Sequence, residues 1–301
     1  MKINTFAPVI IPTLCRYEHF KRCVESLLRC TYAENTDIII GLDYPPAEKY
    51  VDGYRKICDY VPQIKGFSKV TVIKHEKNLG ALGNLLFLKK YAASHYDRFI
   101  FTEDDNEFAP NFLAYINKGL EKYKDNPRVL SICGYNYPVN MSGYDSNSYC
   151  SFRFSAWGYG TMTARDLDLS ISKVLRFAFI PHHFFKLLFT SPSLLLSVAY
   201  MISKNEVHGD ACFEIYSCIN NWKSIFPTTS KVRNWGHDGS GEHGVISPED
   251  DPCFNQVIDT EVNFDFDEVD IKEVKWKPLY DYFHKPFSWY IGRFFSKFRN
   301  K

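Results

Sequence analysis

The stretch RFIFTEDDNEFAPNF, residues 98–112, decides how the chain is read. Phe99, Ile100 and Phe101 form a short apolar run, and Thr102 leads from it into Glu103, Asp104 and Asp105. A short apolar run bounded by polar residues reads as a buried parallel strand. Carboxylates at the C-terminal end of such a strand open onto the crevice where open α/β sheets bind ligands. Two adjacent aspartates there are hard oxygen donors suited to Mg²⁺ or Mn²⁺ carrying a phosphate. Taken alone, the triplet fits a solvated acidic turn before a helix equally well, because Pro110 stands where a helix would start.

Upstream, strand-like and helix-like segments alternate. APVIIPT (7–13), TDIIIGLD (36–43) and KVTVIKH (69–75) read as strands. Residues 17–30 carry Phe20, Val24, Leu27 and Leu28 at helical spacing, and residues 46–61 and 81–95 fit two further helices. Just downstream, residues 110–124 place Phe112, Tyr115, Ile116, Leu120 and Tyr123 on one helical face. This βαβα order implies an α/β fold with a mostly parallel, doubly wound sheet.

The second half is less regular. VLSICG (129–134) and residues 149–164 look like strands that continue the sheet or bend over it. Residues 174–202 are apolar but broken by Pro181, His182, His183, Lys186 and Pro192, which predicts an irregular helical segment. Residues 207–221 fit a helix. Residues 249–270 hold nine acids and no Lys or Arg, which predicts a solvated or mobile acidic loop. From Ile271 to Lys301 the sign reverses, with eight Lys or Arg against two acids, interleaved with Trp276, Phe283, Phe287, Trp289 and other aromatic residues. Such a tail suits either an anionic membrane surface or an aromatic face packed on the protein itself.

The totals exclude several classes. A net charge of +1 leaves no global field to recruit nucleic acid. The nine cysteines contain no C-x-x-C pair, so they read as mostly buried free thiols in a reducing compartment rather than a zinc ribbon. The N-terminus lacks the basic-then-apolar pattern of a signal peptide, and no run of 18 apolar residues predicts a spanning helix.

Four clusters fall at the ends of predicted strands: Pro12, Thr13 and Arg16; Asp43; Asn78, Gly80, Gly83 and Asn84; and the acidic triplet. In a parallel sheet the C-terminal ends share one edge, so these residues suggest a nucleotide-diphosphate site with a metal. The set PVIIPTLCRYEHFKRCVESL, GLDYP, EKNLGALGN and FTEDDNEFAPNFL resembles the GT-A fold glycosyltransferases, in particular glycosyltransferase family 2. Its Glu-Asp-Asp order is similar to the N-acetylglucosaminyltransferase I group rather than to the commoner Asp-x-Asp form. The resemblance runs over roughly residues 7 to 243 and implies a nucleotide-binding half (1–125), an acceptor and catalytic half (126–244), the acidic loop (245–270) and the basic aromatic tail (271–301).

The resemblance also implies roles. Pro12, Thr13 and Arg16 line the nucleotide pocket. Asp43 reads the base, although an N-cap would also suit it. Asn78, Gly80 and Gly83 lie by base and ribose. Glu103 and Asp104 face the ribose and the water shell of the metal, and Asp105 ligates Mn²⁺ or Mg²⁺. Trp157 and Gly158 lie beside the donor sugar. Asp210 is the expected general base, with Glu214 the competitor four residues on, and His243, in a closing loop at 230–244, is a phosphate contact or metal ligand.

The function expected is metal-dependent, inverting transfer from a nucleotide-sugar, most simply a UDP-sugar, to a glycan or lipid-linked glycan acceptor. The site would serve bacterial surface-glycan synthesis (lipopolysaccharide or capsule) in the cytoplasm, on the inner face of the cell membrane, with the C-terminal tail on the anionic surface. The alternatives are a catalytically silent nucleotide-sugar-binding module on the same fold and a sugar nucleotidyltransferase. The second would carry a glycine-rich basic loop where this chain has PTLCRYEHF.

Overall fold

Period-two alternation along the strands sorts side chains between two cores. Val9 and Ile11 of β1 (Val9–Thr13) face one side with Ile38 and Ile40 of β2 (Asp37–Leu42), while Ile10 and Ile39 face the other. The computed structural model describes residues 5–165, 167, 170–236, 238, 252–253, 255–284 and 286. The first half runs β1, α1 (Tyr17–Leu28), β2, α2 (Val51–Tyr60), β3 (Lys69–Lys74), α3 (Gly80–His95), β4 (Arg98–Phe101), β5 (Asn106–Phe108) and α4 (Phe112–Tyr123). The second half runs β6 (Val129–Cys133), β7 (Ser148–Ser151), β8 (Tyr159–Met162), α5 (Ile171–Ala178), α6 (Pro181–Thr190), α7 (Pro192–Lys204), α8 (Gly209–Asn220), β9 (Lys223–Pro227), β10 (Val232–Asn234) and α9 (Lys277–Phe283).

Eight strands form one sheet in the order β3-β2-β1-β4-β8-β6-β9-β7, and β5 pairs with β10 in a small second sheet. The pairs β3–β2, β2–β1, β1–β4 and β6–β9 are parallel, whereas β8 runs antiparallel to both β4 and β6, and β7 to β9. The expected doubly wound, mostly parallel sheet is therefore present. Strand order reverses between β1 and β4, which makes the C-terminal ends of these two strands the switch point where a crevice opens. One core packs α1, α2 and α4 on the sheet through Phe20, Val24, Ile57, Phe112 and Tyr115. The other packs α3 and the α5–α8 cluster through Leu88, Val174, Leu187, Val198 and Phe213.

The acidic segment is irregular and most of its acids face solvent, yet residues 256–276 lie as a strap along α4. Phe264 and Phe266 place their rings 4.9 and 5.1 Å from Tyr115. Two acids of the strap find partners: Asp259 pairs with Lys231, and Asp265, between the two rings, with Lys118 at 2.7 Å. One buried ring, Phe264, and one half-buried ring, Phe266, hold the segment against α4 despite its charge density. The start of the basic tail also packs inward. The ring N–H of Trp276 donates to the Asn140 carbonyl at 2.9 Å, and Phe283 meets Tyr137 edge-on at 4.6 Å. Phe287 and Trp289 lie outside the described residues. Six of the nine cysteines are buried thiols.

Candidate active site

The C-terminal ends of β1, β2 and β4 deliver Thr13, Asp43 and Glu103–Asp105 to one edge of the sheet. Because β8 is antiparallel to β4, with Phe101 opposite Tyr159, its N-terminal end brings Trp157 and Gly158 to the same edge. Pro12 is paired with Gly41 inside the sheet and sets the path of β1 into this edge.

The triplet is divided among distinct partners. Thr13 Oγ1 donates to Asp104 Oδ2 at 2.7 Å across the β1–β4 junction. Arg16 bridges the two aspartates, one guanidinium nitrogen on Asp104 and the other 2.8 Å from Asp105 Oδ2. The Asn234 side-chain amide donates to Asp105 Oδ1 at 2.8 Å, and the Trp235 backbone N–H donates to the Asp105 carbonyl at 2.8 Å. A Cβ at Gly236 would stand 2.3 Å from Asp105 Oδ2, so this backbone approaches the carboxylate as only glycine allows. The first residues of the expected closing loop thus already lie against the triplet. Trp235 is fixed there by Arg22 and Arg233, 4.3 and 3.9 Å from its ring, and by donation of its ring N–H to Glu107 at 2.8 Å. Asn234 was not singled out from the sequence; its signal was the Asn-Trp-Gly run itself. His243, expected further along this loop, lies outside the described residues.

Asp43 is buried and saturated. Its Oδ1 accepts from the backbone N–H groups of Tyr44 and Leu79, and its Oδ2 from Gly80 N–H at 2.9 Å and from the Asn78 amide at 3.1 Å. It thereby caps α3, a helix distant in sequence, and pins the Asn78–Gly80 turn, where Gly80 takes φ +73°. Base reading by Asp43 requires one of these bonds to be exchanged. Gly83 lies inside α3, where a Cβ would stand 3.1 Å from the Leu79 side chain. Asn84 is a core residue, donating to the Gly41 carbonyl at 2.8 Å.

Gly158 takes φ +69°, donates its N–H to the Ala156 carbonyl at 2.8 Å, and accepts from Gly134 N–H at 2.7 Å. A Cβ there would come within 3.0–3.1 Å of Val232, Phe108 and Phe112. The tight turn sets Trp157 half-buried, edge-on to Tyr135 at 4.6 Å.

Asp210 and Glu214, four residues apart on α8, have different surroundings. The Ala156 backbone N–H points to Asp210 Oδ2 at 3.4 Å, which ties the start of α8 to the Trp157–Gly158 turn. The Asp210 side chain is crowded by protein yet reachable from solvent; desolvation pushes its pKa up to about 7. Glu214 is buried, with Oε2 2.9 Å from Arg153 Nη1 and Oε1 accepting from Phe154 N–H at 3.3 Å. Its carboxylate is engaged on both oxygens, which pairs Glu214 with Arg153.

The edge is dense in negative charge. Burial first, then Asp105 and Asp210, pushes Glu103 up to about 8. Burial also raises Asp104, against the pull of Arg16. Burial thus disfavours the charged forms of Glu103 and Asp104, and a divalent cation at this edge would relieve them. No group of three or more His, Cys, Asp or Glu side chains forms a closed metal cage among the described residues. An ion held by one or two carboxylates, with substrate phosphates and water completing its shell, needs no such cage, so the donor set fits Mg²⁺ or Mn²⁺.

Residues 9–172 match the family model for glycosyl transferase family 2. No curated protein matches the chain. Among solved structures it is similar to S. aureus TarS, with 14% identity and a TM-score of 0.35 over 53% of this chain and 29% of that one. It is also similar to the mannosyltransferase PcManGT from Pyrobaculum calidifontis, solved in complex with GDP-Man and Mn²⁺, with 13% identity and a TM-score of 0.35 over 54% and 48%. This chain spans less than half the length of either.

Proposed function

The chain belongs to glycosyl transferase family 2, and from that premise we propose that it is a metal-dependent, inverting glycosyltransferase moving a sugar from a nucleotide-sugar, a UDP-sugar by preference, to an acceptor hydroxyl. The observation that carries this reading is the convergence on one sheet edge of the Glu103–Asp105 triplet from β4 and the Asp210 carboxylate from α8, with the Trp157–Gly158 turn between them.

Asp105 would hold the ion, and Glu103 and Asp104 would orient its water shell and the ribose. When bound, the metal neutralises charge on the departing nucleotide diphosphate. Arg16 lies on Asp104 and Asp105; once relieved by the cation, its guanidinium is placed to contact a phosphate oxygen. Asp210, with its pKa pushed up to about 7, takes the proton of the acceptor hydroxyl as that oxygen attacks the anomeric carbon. Attack from the face opposite the diphosphate inverts the centre, so an α-linked donor gives a β-linked product. Trp157 offers a ring face to the sugar. The acceptor is proposed to be a glycan on a lipid carrier, the product a bacterial surface glycan, and the location the inner face of the cell membrane.

The roles within the triplet are separable by thermal shift. Wild-type protein is expected to gain stability from UDP plus Mn²⁺ beyond UDP alone, because ligands of the native state raise the transition. Asp105→Ala should abolish that metal-dependent increment and transfer together, while Glu103→Ala should retain part of both. Equal loss in the two variants would refute the assignment of Asp105 as the direct ligand. A Mn²⁺-dependent increment with no turnover on any acceptor would favour the silent binding module.

A further inference from the structure

Between β8 and the base-bearing helix α8 the chain inserts α5, α6 and α7, and the outer face of this insertion is apolar and exposed. Phe189 is 82% exposed, Phe185 55%, Phe179 53% and Ile180 38%. His182, Phe185 and Phe189 fall at i, i+3 and i+7 along α6 and lie on its outer side, opposite the buried Leu187. The rings of Phe185 and Phe189 stack at 6.5 Å, and those of Phe179 and Phe184 at 6.3 Å. Exposed contiguous apolar surface of this kind marks an interaction site.

Charge selects the occupant. Residues 171–204 contain Lys173, Arg176, Lys186 and Lys204 and no acid, in a chain whose charges otherwise nearly balance. Lys186 is used internally, donating to the Ile219 carbonyl at 3.1 Å and to Asn221 at 2.8 Å. Arg176 is exposed one helical turn from Phe179. Aromatic side chains flanked by cations and free of acids suit an anionic bilayer interface. The insertion does not suit crossing a bilayer. No single helix among the described residues is long and apolar enough to span a membrane, and α6 and α7, which meet the test only together, are bent by 120°.

We propose that the Phe179–Ile180–Phe185–Phe189 face docks on an anionic membrane surface, with the Phe rings in the acyl–headgroup boundary and Arg176 among the headgroups. The described start of the C-terminal tail borders this surface: the His284 ring lies 3.2 Å from the Thr190 carbonyl, and Phe189 lines one cavity with Leu279, Tyr280 and Phe283. Docking deepens the reading of the acceptor as a lipid-linked glycan and rests on that reading for its purpose, not for its physical basis. Lys186 grips the C-terminal end of α8, whereas Asp210 stands at the N-terminal end. Twelve helical residues span roughly 18 Å, so the face would seat the lipid carrier about one helix length from the base, a separation that a few sugar units cover.

The test uses the full chain with phosphatidylglycerol-containing vesicles and, in parallel, phosphatidylcholine vesicles, scored by co-sedimentation. Phe185→Ser/Phe189→Ser is expected to lower partition onto the anionic vesicles about tenfold or more, Arg176→Gln by a few-fold, and neither should move the thermal transition or the UDP response. Deleting residues 285–301 should leave a remainder of binding that the double Phe variant removes. Unchanged partition in the double variant overturns the proposal, as does loss of all binding on tail deletion alone. A wild-type dimer that the double variant converts to monomer would also overturn it, because a second copy would then cover the face. Transfer to a soluble acceptor separates the two readings. Its absence in wild type counts against the enzymatic assignment alone, while its retention in a double variant that no longer binds vesicles supports docking.

Discussion

Asp210→Asn is expected to lower kcat for sugar transfer by about 10²–10⁴-fold, the range typical for loss of a positioned general base. Asparagine keeps the shape of the side chain and an oxygen for the Ala156 N–H, so the Trp157–Gly158 turn should stay in place. Nucleotide-diphosphate binding and the thermal transition should therefore hold while turnover collapses. The wild-type pH profile carries a second signature. A base must be unprotonated to act, and desolvation places the Asp210 pKa at about 7 instead of the ordinary aspartate range. Activity should then fall tenfold per pH unit below about 7, several units above where an unperturbed aspartate would begin to fail. In Asp210→Asn the residual activity should lose that limb. Steady-state kinetics across pH 5–9 decides the matter: a variant with near-wild-type kcat, or one that keeps the same limb, would place the base elsewhere.

The donor half was legible because its signals are local. VIIPT, DIIIGL and RFIF are short apolar strands punctuated by helices with clear periodicity, and parallel connection puts their polar ends on one edge without further information. What stayed hidden depends on contacts between distant segments. The pairing of β5 with β10, which brings Asn234 to Asp105, joins residues more than 120 apart. Asp43 carries the same one-letter signal whether it reads a base or caps α3; only the position of the Asn78–Gly80 turn shows that it does the second. The strap at 256–276 is illegible in the sequence because its acids dominate the composition while two phenylalanines fix its place. Asp210 and Glu214 share one helix, and their spacing gives no hint that Arg153 claims one of them.

Glu214→Ala is expected to destabilise the fold by about 3–5 kcal/mol, the cost of leaving a buried charge without its partner. Arg153 is buried, and its guanidinium is surrounded by Glu214 at 2.9 Å, Ser191 Oγ at 3.0 Å and the rings of Phe283 and Phe152 at 4.1 and 4.6 Å. Only Glu214 in that set carries negative charge. Its loss also removes the acceptor of Phe154 N–H, at the start of the chain segment that leads to Trp157. For a chain of this size the loss corresponds to a fall in Tm of roughly 5–8 °C. Glu214→Gln should cost less, since it keeps the shape and one acceptor oxygen. Replacing both partners, Arg153→Met with Glu214→Leu, should recover much of the loss, because two apolar side chains of similar volume leave no charge to desolvate. Assayed well below its transition, the Glu214→Gln variant should retain kcat within a few-fold and keep the acid limb near pH 7 that belongs to Asp210. The two acids therefore separate experimentally: one substitution removes turnover and leaves stability, and the other removes stability and leaves turnover. A Glu214 variant with wild-type Tm and a collapsed kcat would reverse the assignment and make the Arg153 pair part of the catalytic apparatus.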